Sequence, residues 1–341
     1  MTRMAIAPLV CALSFTGALL YSQGVSSTAA TPKSSEGAVF TFQSNFWINL
    51  HHFLRGESRR RSLGTPLEQP LSVLTMEERG VWERALDAYT GLTKRSLIFD
   101  DSLVRIDNTL ATSSDAIAIQ TQAIDPKIVE ALNRAAPVYR AHRWEEDRRD
   151  NERWIAANGP LIRQHATELK QAVAKVFQAV PPDAPILVDL ARDTGPTLAY
   201  TTDGPPGTAG HTVIAPQQNL DPDVALDTIF HEVSHTMDDQ ITRLVDSEAT
   251  RQGVTVSPDL WHALTLYTTG VIVKRELRGP LDHRPYRPDD NRVRMFASND
   301  WPRLLAALEK YWKPYLDGSV PLKTALHDLV REVAAGVRQP A

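Results

Sequence analysis

The chain has 341 residues, with 37 Lys and Arg against 41 Asp and Glu, a net charge of -4 and 42% hydrophobic residues. That apolar content supports a sizeable core and excludes a dominantly disordered chain. The near-neutral balance, with a pI near 6.2, gives no sign of a nucleic-acid-binding surface, and a mean hydropathy of -0.28 excludes a polytopic membrane protein. By length, one large domain or two modest ones are expected.

The N-terminus reads as a targeting segment. Arg3 precedes an apolar stretch over residues 5–21, and Ser27-Thr28-Ala29 fits a small-x-small cleavage site. Residues 1–29 are therefore expected to be a signal peptide, which sends the chain to the periplasm or outside the cell. The alternative is an uncleaved anchor, for which about 17 apolar residues are at the short edge of a bilayer span. Cys11 is the single cysteine and lies inside this segment. The mature chain then has no disulfide, no thiolate zinc site and no cysteine nucleophile.

After a polar linker at 31–36, the aromatic-rich run from Phe42 to Leu54 reads as the start of a helix, with His51 and His52 in it, one expected to pack and the other to be exposed. Thr75 and Glu78 have the spacing of a capping box opening a helix to about Thr93. Residues 96–110 have helical apolar spacing. Asp125-Pro126 starts another helix, which Pro137 is expected to end or kink. The dense charges of 142–153 read as a solvated helix surface with intrahelical ion pairs, and 161–180 as an amphipathic helix. Pro181-Pro182-Asp183-Ala184-Pro185 is the clearest break. It divides the chain into a helical N-terminal region, 30–185, and a second region, 186–341. Beyond it, 186–190, 197–201 and 211–215 read as short strands, the only β structure expected. Helices resume at Asp221 and close the chain at 301–316 and 322–337. A Pro-rich stretch, 279–290, reads as a long loop. The fold class expected is mainly α with a small sheet, an α+β arrangement.

One motif carries chemistry. His231-Glu232-Val233-Ser234-His235 is HExxH. Asp221-Pro222-Asp223 is a helix start, and the apolar positions Val224, Leu226, Ile229, Phe230, Val233, Met237, Ile241 and Leu244 continue with helical spacing. His231 and His235 then lie one turn apart on one face. Two imidazoles so placed can both reach one zinc ion at about 2.0–2.1 Å. Glu232, beside them, can take the proton of a water that such an ion activates. Asp238 or Asp239 can accept the outer N–H of a ligand histidine and fix its tautomer.

Over residues 186–277, with a small sheet, the HExxH helix and a second helix in that order, the chain resembles the zincin metallopeptidases. The resemblance implies zinc as cofactor, His231 and His235 as ligands and Glu232 as general base, on a peptide or protein substrate. It also implies an edge strand beside the cleft, for which 211–215 is the candidate. The chain departs from the metzincin pattern, since Asp238 and Ile241 stand where that pattern has Gly and His. The gluzincin pattern places a Glu on the following helix. Glu248 follows His235 by 13 residues, on what reads as the same helix, and is about 20 Å away. The next helix, opened by Ser257-Pro258-Asp259, offers His262 and Glu276 as third ligand. His262 is preferred for its apolar, aromatic surroundings, and Tyr267, five residues on, is the candidate to stabilise an oxyanion. A non-catalytic zinc- or peptide-binding module of the cell envelope, or a hydrolase of a non-peptide substrate, remains the alternative. Oligomeric state, and any membrane segment beyond the N-terminus, are not indicated.

Overall fold

A computed structural model describes residues 38–113, 116–194, 198–216, 221–277 and 300–334. The expected signal segment with Cys11, the 31–36 linker and the 279–290 stretch lie outside the described residues. The architecture is mainly α with a small mixed sheet, as the sequence pattern predicts. No helix among the described residues is long and apolar enough to cross a membrane.

Four strands form the sheet: β1 (Phe40–Gln43), β2 (Ile186–Leu190), β3 (Ala199–Thr202) and β4 (Gly210–Ile214). Their order is β1-β2-β4-β3, with β1, β2 and β4 parallel and β3 antiparallel to β4. Two expectations are corrected here. Strand β1 was not anticipated, because its four residues run almost directly into a helix. Asn45 separates the two, its side chain accepting from the amides of Trp47 and Ile48 to cap α1 (Phe46–Ser62). The 211–215 strand was expected at the edge, but β4 lies inside the sheet. Val213 and Ile214 are buried on opposite faces of the sheet, as suits an interior strand covered on both sides. The edge strand on that side is β3.

Helices α2 (Met76–Tyr89), α3 (Asp101–Ala111) and α4 (Pro126–His142) follow α1. The Thr75–Glu78 capping box is formed. Pro137 neither ends nor splits α4, which continues to His142. Next, α5 (Trp144–Phe177) is one long helix. Its charged start makes the expected intrahelical pairs, Arg148 to Glu145 and to Glu152. One side of it is buried, however, where Asp147 accepts from the Tyr139 hydroxyl at 2.7 Å and from Arg143 at 3.0 Å. Among the described residues, the helices that follow are α6 (Pro222–Ser234), α7 (Asp239–Gln252), α8 (Leu260–Leu277), α9 (Trp301–Ala307), a π turn (Leu308–Trp312), α10 (Lys313–Leu316) and α11 (Leu322–Ala334).

The sheet separates two apolar cores. Alternation along β2 sends Ile186, Val188 and Leu190 into one core and Leu187 and Ala191, the residue after the strand, into the other. The first core is filled by α5, α6, α8 and the C-terminal helices, so α5 packs there although it precedes the Pro181–Pro185 break. The second is filled by α1 to α4. Gly210 marks a close approach. A Cβ there would lie 2.8 Å from Cγ2 of Thr236, so the start of β4 sits against the turn that follows α6.

Candidate metal centre

Helix α6 is positioned from its start. Asp221 caps it, accepting from the Asp223 amide at 3.0 Å, and Pro222 occupies its first turn. Ala225, Leu226, Ile229, Phe230 and Val233 are wholly buried. This anchors the helix and turns His231 and Glu232, both nearly buried, toward α8 and β3.

The helix ends earlier than its apolar spacing suggests. Ser234 Oγ donates to the His231 carbonyl at 2.5 Å and Thr236 Oγ1 to the Val233 carbonyl at 2.7 Å. Such side-chain hydroxyls compete for helix carbonyls, and residues 235–238 form a turn before α7. His235 is thus the C-cap of α6, still in the αR region, with its ring centroid 4.8 Å from that of His231. Glu248, expected on the HExxH helix, lies on α7, where it pairs with Arg251, Gln252 and His327 on α11.

Helix α8 crosses α6 and delivers the third histidine. Nε2 of His262 is 3.2 Å from Nε2 of His231, and ring nitrogens of His231, His235 and His262 lie within 4.8 Å of one another. Two nitrogens each about 2.0–2.1 Å from a tetrahedral ion would be about 3.3 Å apart, which the 3.2 Å between His231 and His262 matches. Nδ1 of His235 is 2.7 Å from Oδ2 of Asp238, so Nδ1 carries the proton and Nε2 keeps its lone pair for a ligand bond. Burial lowers the pKa of His235, but the Asp238 hydrogen bond and the charges of Glu232 and Asp238 outweigh it and leave the pKa raised.

Of the residues singled out in the sequence, His231, His235 and His262 converge, with Glu232 and Asp238 beside them. Glu276 is elsewhere, 3.1 Å from Nδ1 of His165 on α5. Asp239 is 91% exposed and faces Arg243. Tyr267 is a correction: its hydroxyl is buried in the core shared with the C-terminal helices rather than open to a substrate, and burial, followed by Glu309, pushes its pKa up. Five residues beyond His262 is well round the helix, which turns Tyr267 toward the C-terminal helices. His51 and His52 are a second correction. Both are fully buried, hydrogen-bonded to Tyr89 and Tyr200, each at 2.9 Å.

Other neighbours gave no sequence signal. Trp261 stacks on His262 at 5.2 Å and meets His235 edge-on at 5.7 Å. Trp301, remote in sequence, packs edge-on against His262 at 5.5 Å from the far end of the described chain. Thr201 on β3 donates to Oε2 of Glu232 at 3.1 Å. Motif spacing cannot reveal a partner that depends on strand register.

No protein-family model, curated protein or solved structure matches the chain.

Proposed function

We propose that the chain is a zinc-dependent hydrolase with a zincin-like catalytic lobe, acting on a peptide or protein. The observation that carries this reading is the convergence of the His231, His235 and His262 nitrogens with a glutamate next to the first of them. Three neutral imidazoles suit zinc and leave the fourth position of a tetrahedral ion open, as in catalytic rather than structural sites. Zinc held there would supply Lewis acidity, acidifying a water and polarising the scissile carbonyl. Glu232 would take a proton from the attacking water and deliver it to the leaving amine. Asp238 would hold His235 in its ligating tautomer. Edge strand β3, whose Thr201 reaches Glu232, is the strand we assign to pair with an extended substrate. Residues 1–29 support export as the setting.

The test is zinc stoichiometry on the mature chain, with His262→Ala, Glu276→Ala and Glu232→Gln beside the wild type, followed by digestion of a peptide library. One zinc per chain is expected in the wild type, in Glu276→Ala and in Glu232→Gln, but not in His262→Ala. Hydrolysis should vanish in Glu232→Gln. A wild type that takes up no zinc on reconstitution would overturn the reading.

A further inference from the structure

We propose that Thr201 and Thr212 form a paired hydroxyl relay that positions the Glu232 carboxylate, an inference that rests on the zinc-hydrolase reading. Thr201 and Thr212 are directly opposite each other in the β3–β4 register. Strand alternation puts both on the α6 face, while their neighbours Tyr200 and Val213 point into the other core. Their hydroxyl oxygens are 2.8 Å apart, and Thr201 Oγ1 is 3.1 Å from Oε2 of Glu232. All three side chains are buried: Thr212 is 0% exposed, Glu232 6% and Thr201 8%.

The direction of the relay follows from proton counting. An ionised carboxylate only accepts, so the single Thr201 proton goes to Oε2. The Thr201 oxygen must then accept from Thr212, which is the donor of the pair. Two hydroxyl dipoles therefore align and end on the carboxylate, a charge-assisted bond in a water-poor setting. A glutamate has a long side chain with several rotamers. Its capture from the sheet fixes where the carboxylate stands relative to His231 and His235, to which the same turn of α6 is attached. A general base gains from such fixation because geometry precedes basicity in proton transfer. Neither threonine is a metal ligand, so both are positioning residues.

The test uses the full zinc-loaded chain as wild type, Thr201→Val, Thr201→Ser, Thr212→Val and Glu232→Gln. Three quantities are measured: zinc affinity by chelator competition, the affinity for acetohydroxamate by calorimetry, and kcat and KM on a library peptide that the wild type cleaves. Acetohydroxamate is a zinc-binding acid that gives its proton to a neighbouring carboxylate, so it reports Glu232 without turnover. Thr201→Val should keep zinc affinity and KM and lose about tenfold in both acetohydroxamate affinity and kcat, the loss of one hydrogen bond to a charged group. Thr201→Ser should restore both, and Thr212→Val should show a smaller loss in the same direction. Wild-type acetohydroxamate affinity in Thr201→Val, with Glu232→Gln impaired, would overturn the relay and leave the hydrolase reading standing. If Thr201→Val does not fold, wild-type affinity in Thr212→Val overturns it. A wild type without zinc, or a Glu232→Gln variant indistinguishable from it, overturns the hydrolase reading and the relay with it.

Discussion

Asp238 holds the second histidine of the motif rather than facing the open side of the site. Its carboxylate is 2.7 Å from Nδ1 of His235, and it sits in the turn that ends α6 rather than on the helix itself. A carboxylate there fixes the ring's tautomer and rotation and raises the basicity of Nε2, the nitrogen proposed to bind zinc. Asp238→Ala should therefore bind zinc about 10–100-fold more weakly, the usual effect of losing such a partner, with the fold unchanged. Competition against a chromophoric chelator measures this, and an unaltered affinity would mean that packing alone orients His235. Asp239 is the internal control. It is exposed and faces Arg243, so Asp239→Ala should leave zinc affinity where it is. The sequence offered both aspartates equally, and only the backbone turn after Ser234 separates them.

At the scale of elements, α6 is held in place by apolar contacts that also aim His231 and Glu232. Phe230 is fully buried and meets Phe40 of β1 edge-on, with ring centroids 5.6 Å apart. Truncating such an aromatic leaves a cavity, so Phe230→Ala should cost about 3–5 kcal/mol. Because His231 is the next residue, zinc affinity should fall as well. Urea titration with and without zinc checks both, and a loss below about 1 kcal/mol would show that β1 and α6 are not coupled. The helix starts at Thr75, Asp125 and Asp221 were legible because capping is local chemistry, one side chain serving an amide two or three residues on. The first two histidines were legible for the same reason, their spacing being set by the helix repeat. The choice between His262 and Glu276 depends on where α8 crosses α6, which no local pattern encodes. Strand β1 was missed because its four residues become a strand only when β2 lies beside them. The break between α6 and α7 was hidden because Met237 and Ile241 stay buried across it, so the apolar rhythm survives the turn.

Across the whole molecule, the face of the sheet opposite His231, His235 and His262 carries a sealed polar cluster where the N-terminal helices dock. His51 and His52 of α1 each place Nε2 3.6 Å from Oδ1 of Asp107 on α3. Tyr200 of β3 donates to Asp107 at 2.8 Å, and His211 of β4 is 2.8 Å from Asp189 of β2. His51, His52, Asp107, Asp189 and His211 are all 0% exposed. Burial, aided by the charge of Arg55, lowers His51 from 6.5 to about 3, and burial with nearby cations takes His52 well below 6.5. Burial raises Asp107 from 3.8 to about 6, against the pull of His211, Tyr200 and Arg55. The sign for each group follows from which state binds more protons. Below pH 6.5 the unfolded chain protonates both histidines and the folded chain resists, so acid destabilises. Between about pH 6 and 4 Asp107 works the other way, because its folded form takes the proton first, and it offsets one histidine. Two resisting histidines outweigh one accepting carboxylate, so this cluster should lower stability as the pH falls over that range. His51→Gln removes one of the two resisting groups. Whatever it costs at pH 7, its stability should fall less steeply than the wild type's between about pH 6 and 4, by on the order of 1 kcal/mol per pH unit. Denaturant titrations at several pH values give the two slopes. Parallel slopes would show that His51 takes up its proton equally in the folded and unfolded chain, and that the packing of α1 on the sheet is indifferent to acid at this position.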